Sequence, residues 1–261
     1  MLWLSYLGVG VIAGVLAGLL GVGGGIVIVP ALTFLFTSQN LSPQYTLHLA
    51  LGTSLATILF TSVSSFRSHH LKGAVDWGIV KRIAPGIVAG TLAGTFLAAR
   101  MSTRGLKGFF VVFIFYVAVQ MLLDIRPKAH RELPGKWGTA AAGSFIGLVS
   151  SLVGIGGGSM SVPFMLWCNV GVLRAIGTSA AIGFPIALAG AVGYVLNGIG
   201  KELPPMTMGF VYLPALAGIA AASYLTAPLG ARIAHALPVA MLKRFFACLL
   251  IATGVKMVLG G

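Results

Sequence analysis

Acidic residues are almost missing from this sequence. The 261-residue chain holds four Asp plus Glu, and charged residues of either sign make up 8% of it, against about 25% in a typical soluble domain. Such a chain cannot cover a water-facing surface with polar groups, so lipid must be its main solvent. The four carboxylates, Asp76, Asp124, Glu132 and Glu202, all lie at the ends of apolar segments or between them. A proton pump usually displays an acid inside the membrane, and none is placed there. The only cysteines, Cys168 and Cys248, form no CxxC pair and no metal spacing. They read as small packing residues, and no metal or cofactor is expected. HExxH, a nucleophile-base pair and a carboxylate dyad are also missing, which argues against an enzyme. The most hydrophilic stretch, DIRPKAHRELPGK (124–136), is too short for an extramembrane domain. The N-terminus MLWLSYLGVGVIAGVLAGLL lacks the basic region and cleavage site of a signal peptide, so it reads as retained.

Apolar residues make up 57% of the chain. They form eight segments: Leu2–Phe36, Tyr45–Phe66, Gly78–Ala99, Leu106–Leu123, Trp137–Trp167, Val172–Asn197, Met206–Gly230 and Leu237–Leu259. Runs of this length are the signature of membrane helices. Seventeen Lys plus Arg give a net charge of +13. Positive-inside loops facing anionic lipid account for most of that charge, and attraction of an anionic substrate adds to it. No interleaving of basic and aromatic residues points to nucleic acid.

The chain matches itself. Gly14, Leu19, Gly21, Gly23, Gly24, Gly25, Val29 and Pro30 recur 133 positions later as Gly147, Leu152, Gly154, Gly156, Gly157, Gly158, Val162 and Pro163. ALGTSLA (50–56) is echoed by AIGTSAA (175–181), the triplet ending at Arg100 by that ending at Arg232, and LKGFF (106–110) by LKRFF (242–246). Composition could fake one such block; four in the same order indicate an internal duplication, a common feature of transporters. The expected organisation is a first membrane repeat over 1–125, a linker over 126–136 and a second repeat over 137–261. If all eight segments cross, the two halves point the same way and the loop charges split ten to seven. If the first and fifth segments fold back at their glycines, each half has three crossings and the repeats are inverted. The split is then twelve to five, the better positive-inside pattern. This favours an all-α polytopic protein with inverted repeats, although Leu2–Leu20 alone is long enough to cross, which leaves a broken crossing helix open.

The glycine clusters explain themselves best as breaks. Lipid tolerates unpaired backbone groups only where protein or a cavity lines them. A helix starting after a break offers free N–H groups and a positive dipole end, which together make an anion site. Gly23, Gly24 and Gly25 would let a ligand approach the backbone of the first half, and Gly156, Gly157 and Gly158 that of the second, with Ser159 at the start of the following helix. The duplicated hydroxyls Thr53, Ser54, Thr178 and Ser179 could donate to an oxyanion or bond their own helix. Gly86, Gly90 and Gly94 form a small-residue stripe for helix packing. His48 is a candidate for ion coupling, and His69 and His70, beside Arg67 and Lys72, read as a solvated loop.

At GLLGVGGGIVIVPAL, LGTSLATILFTSVSSFRSHHLKGAVDW, GIGGGSMSVP and GTSAA the chain resembles the sulfite exporter TauE/SafE family over essentially its whole length. The resemblance implies a multi-pass carrier in the bacterial inner membrane for sulfite, sulfoacetate or related organosulfonates. The family's motif positions fall on Gly21 to Gly25 with Pro30, Gly52 to Ser54, Gly154 to Gly158 with Pro163, and Gly177 to Ser179. The second half departs from the first by placing Ser159 and Ser161 where the first has Ile26 and Ile28, which breaks strict symmetry and favours the second half as the anion ligand. The expected partners are a small anion and the bilayer, with a homodimer compatible and nucleic acid not. The rival functions are an importer of thiosulfate-like or other anions coupled to an ion, and a membrane enzyme or assembly factor.

Overall fold

The computed structural model describes residues 2–21, 23–123, 132–234 and 239–259, so the expected linker falls largely outside the described residues. Ten helices are described: α1 (Leu2–Leu20), α2 (Gly25–Ser38), α3 (Thr46–His70), α4 (Trp77–Arg100), α5 (Thr103–Leu122), α6 (Lys136–Val153), α7 (Gly158–Trp167), α8 (Val172–Gly198), α9 (Leu213–Ala234) and α10 (Val239–Leu259). Five of them, α3, α4, α5, α8 and α9, are long and apolar enough to cross a membrane. The protein is a helical, polytopic membrane protein.

The first and fifth apolar segments each divide into two helices, and the glycines are the reason. Gly21, Gly23 and Gly24 take left-handed φ values of 65°, 78° and 76°, as Gly154 and Gly157 do at 69° and 75°. Only glycine adopts that region without steric cost. Gly24 and Gly157 then serve as N-caps of α2 and α7, with their carbonyls accepting the first helical N–H groups.

Each pair of short helices folds back on itself. A Cβ on Gly24 would lie 2.6 Å from the Ala13 carbonyl of α1, and one on Gly157 would lie 3.4 Å from Ile146 of α6. Tyr6 near the start of α1 touches Gly218 near the start of α9. Phe36 near the end of α2 packs edge-on against Tyr212, the residue before α9. The end of α2 has therefore returned to the end of the molecule where α1 began.

Glycine stripes set the closest helix contacts. In α4, added Cβ atoms on Gly86, Gly90 and Gly94 would overlap Ala140, Ser144 and Ser151 of α6. In α1, Gly10, Gly14 and Gly18 stand in the same way against Ile219, Ser223 and Ala227 of α9. In both pairs the residue numbers rise together, so the two helices run parallel. Small residues let backbones meet where lipid supplies no hydrophobic drive for association. The central pair, α3 and α8, runs antiparallel: Gly52 meets Tyr194, Leu55 meets Gly190 and His69 meets Gly177. At the periphery α5 packs on α10.

Two local expectations change. The apolar run from Met206 is not helical until Leu213; Thr207–Met208 (β1) and Val211–Tyr212 (β2) form a short antiparallel hairpin instead. Pro204 and Pro205 precede it, and Gly209 turns it with φ 53°. Hydropathy cannot separate such a short apolar hairpin from a helix. His69 is no solvated loop residue. The helix α3 continues to His70, which turns His69 inward, fully buried, with Nε2 3.0 Å from the Gly18 carbonyl. Neither Cys168 nor Cys248 is in a disulfide.

Gly90→Leu should destabilise the folded protein by about 1–3 kcal/mol, the scale of overpacking, and should lower the melting temperature in detergent. Gly8→Leu serves as the control, because nothing lies within 4 Å of a Cβ there. Equal melting of the two variants would refute close packing along α4 and α6.

Candidate functional site

The two glycine breaks meet at the centre of the molecule. A Cβ on Gly23 would lie 3.2 Å from the Gly156 Cα, and one on Gly25 would strike the Gly154 carbonyl and approach Ile155 at 2.9 Å. The N-termini of α2 and α7 therefore begin side by side, each with a first turn of N–H groups that no helical carbonyl serves. Gly23, Gly24, Gly25, Gly156, Gly157 and Gly158 are all buried.

The GTS triplets cross-link these breaks. Ser54 Oγ donates to the Gly154 carbonyl at 2.8 Å, and Ser179 Oγ donates to the Gly21 carbonyl at 3.0 Å. Each serine thus satisfies a carbonyl of the opposite half. The threonines also reach across. Thr53 Oγ1 accepts from the Tyr212 N–H and Thr178 Oγ1 from the Asp76 N–H, both at 2.9 Å. Gly52 lies against the Phe210 carbonyl and Gly177 against that of Ala74. These contacts dock the chain just ahead of α9 and α4. Asp76 itself caps α4 by accepting from the Gly78 and Ile79 N–H groups.

Proton bookkeeping narrows what remains free. Ser179 has one hydroxyl proton, and it is on Gly21. Ser161, 2.7 Å away, must then donate to Ser179. Ser159 is 5% exposed and its Oγ has no hydrogen-bond partner among the described residues. The same holds for the fully buried Ser150, whose Oγ would lie 3.3 Å from a Cβ on Gly157. Sequence reading missed Ser150. Its signal was faint: a Ser-Ser pair ahead of the second break where the first half has Ala17-Gly18.

His48 lies away from this centre, near the start of α3. Its Nε2 is 3.1 Å from the Ala98 carbonyl, and its ring packs between Tyr45 and Phe210. Among the described residues no group of three or more His, Cys, Asp or Glu is gathered as a metal site would require. A separate groove of about 690 Å³ opens between α1, α2, α5 and α10, where Lys107 and Lys256 join an otherwise mostly apolar lining.

Residues 6–257 match the family model for the sulfite exporter TauE/SafE. The chain belongs to the TauE/SafE family. A probable membrane transporter protein of Haemophilus influenzae is 36% identical over 96% of this chain and 96% of its own length. The probable membrane transporter protein YunE of Bacillus subtilis is 31% identical over 72% of this chain and 77% of its own. The probable membrane transporter protein MJ0441 of Methanocaldococcus jannaschii is 26% identical over 78% of this chain and 73% of its own. No solved structure matches the chain. Family and relatives identify a membrane transporter, and the buried, cross-linked breaks of this TauE/SafE protein are its candidate transport site.

Ser54→Ala and Ser179→Ala each remove the partner of a buried carbonyl. Each should cost about 1–3 kcal/mol, measured by equilibrium unfolding in mixed micelles. Unchanged stability in both would show that the crossed bonds do not hold the breaks together.

Proposed function

We propose that this protein exports small sulfur-containing anions, sulfite or an organosulfonate such as sulfoacetate, across the bacterial inner membrane. The observation that carries this reading is the meeting of two helix N-termini at a buried centre, with no carboxylate buried among the described residues. Positive dipole ends and unpaired N–H groups suit an anion. Within the site, Gly23 to Gly25 and Gly156 to Gly158 bring the backbone to the ligand, and Ser159 adds a hydroxyl. Ser54 and Ser179 hold the break carbonyls turned away from the anion, and Thr53 and Thr178 anchor the adjoining chain. His48 is the first candidate if transport is coupled to an ion.

The repeats are inverted in this proposal. The matched contacts support it: Ser54 to Gly154 with Ser179 to Gly21, Thr53 to Tyr212 with Thr178 to Asp76, and α1 along α9 with α4 along α6. The antiparallel course of the matched helices α3 and α8 supports it too. The hairpins α1–α2 and α6–α7 are then re-entrant. Arg67, Lys72, Lys81, Arg82, Lys136, Arg174 and Arg232 share the cytoplasmic end, while Arg100, Arg104, Lys107, Lys201 and Lys256 share the other. In a Cys-free background, single cysteines at Ala129 and Gly171 should be labelled from the same, cytoplasmic side. Labelling from opposite sides would restore eight simple crossings.

The direction follows from electrostatics. One elementary charge moved through the membrane potential is worth about 2.3 kcal/mol per 100 mV. In a cell with a negative interior, a monoanion leaves downhill by that amount without any coupled proton. Sulfite efflux from proteoliposomes should accelerate under an inside-negative K⁺/valinomycin potential, with no Na⁺ or pH gradient. Efflux that ignores voltage and requires H⁺ or Na⁺ would overturn this and favour ion-coupled transport, with His48 the residue to replace first.

A further inference from the structure

We infer that at the joined breaks the carried anion takes its side-chain donors from one half only, at the break between α6 and α7, and that Ser150 joins Ser159 in holding it as a singly charged oxyanion. This rests on the reading that an anion binds at the breaks. It goes further by assigning the half, a new residue and the charge of the ligand.

Around the breaks, the Ser54 and Ser179 protons are on carbonyls and the Ser161 proton is on Ser179. The Thr53 and Thr178 hydroxyls keep their own protons, but each accepts a backbone N–H from the chain just ahead of α9 or α4, which sets them against those segments and not at the α7 N-terminus. Among the described residues four buried hydroxyls have no partner; Tyr6 is near the start of α1 and Thr91 is on α4 against Gly147, which leaves Ser150 and Ser159 as the two at a break. Both stand at the start of α7 but come from different helices: Ser150, on the last turn of α6, has its Oγ 3.3 Å from where a Cβ on the α7 cap Gly157 would lie, and Ser159 is the second residue of α7. An unsatisfied buried hydroxyl is costly, and here one stands beside the cap of α7 and the other in its first turn, where the N–H groups have no helical carbonyl to serve them. Two O–H donors and adjacent N–H donors fit an acceptor with several oxygens on one centre.

The first break lacks this equipment. The positions 133 residues before Ser150 and Ser159 are Ala17 and Ile26, both buried and without a hydroxyl. Both breaks turn through left-handed glycines, three at the first and two at the second, but only the second has hydroxyls at these matched positions. Among the described residues no Lys or Arg is buried, at either break or elsewhere. A site of neutral donors offsets the desolvation of one charge far better than of two, because the solvation cost rises steeply with charge. Hydrogen sulfite and sulfonates with no second charge fit; dianions do not, whether sulfate or sulfoacetate with its added carboxylate, which narrows the substrates proposed above.

The test uses purified full-length protein with sulfite, methanesulfonate and sulfate as probes, read by calorimetry and by ligand-dependent melting. Wild type should bind one sulfite or methanesulfonate per chain, and sulfate should bind at least tenfold more weakly. Ser150→Ala and Ser159→Ala should each weaken methanesulfonate binding about tenfold. Their melting temperatures without ligand should be unchanged or raised, because an unpaired hydroxyl has been removed, whereas a structural serine would lower them. Ile26→Val in the first half should leave binding intact. Two anions per chain, equal binding of sulfate, or unchanged affinity in both serine variants would overturn the inference while leaving anion transport standing. Failure of wild type to bind any of the three probes would overturn the transport reading as well.

Discussion

The whole molecule depends on one constraint: a helix broken inside a membrane must find partners for its backbone without help from water. Two such breaks in one chain double the problem, and this fold answers it by joining them. The carbonyl released at each break is taken by a serine from the opposite half, Ser54 on Gly154 and Ser179 on Gly21. Neither half can satisfy its own break in this arrangement. The two halves are therefore bound to fold as one unit, and the centre where they meet is the most exacting place in the protein.

The rest of the bundle serves that centre. The glycine stripes of α1 and α4 bring α9 and α6 close enough for backbone to lie against backbone. This closeness sets where α9 and α4 begin, and the chain ahead of them reaches Thr53 and Thr178. A hydrogen bond from a loop to a helix interior is then available at both ends of the central α3–α8 pair. Packing and polar satisfaction reinforce one another: a bulky residue in a stripe would shift a helix start and strip a threonine of its partner.

Chemically, the centre is rich in dipoles and poor in charge. Hydroxyls and amides surround the breaks, and among the described residues no lysine or arginine is buried with them. Such an environment can hold a weakly hydrated anion and release it again, which a fixed cation would hinder. In the proposed export, the membrane potential supplies the driving force that a buried carboxylate would otherwise have to couple.

Much of this was legible in the sequence because it rests on local chemistry. A chain of 57% apolar and 8% charged residues has to be a membrane protein in any fold. Runs of left-handed turns need glycine, so the breaks could be placed to within a residue or two from Gly21–Gly25 and Gly154–Gly158 alone. The stripe Gly86, Gly90, Gly94 declared a packing face by its spacing. Partnership was beyond the sequence. Nothing in the spacing of Ser54 says that its proton goes to Gly154, one hundred residues away. The inward turn of His69, the hairpin before α9 and the unpaired hydroxyl of Ser150 likewise depend on which helix lies opposite. A residue type fixes what bonds a side chain can make, and its neighbours in the local chain fix which backbone it can adopt. Which of those bonds is made, and which donor is left over for a ligand, was decided by tertiary packing, because a hydroxyl has one proton and the nearest buried acceptor takes it.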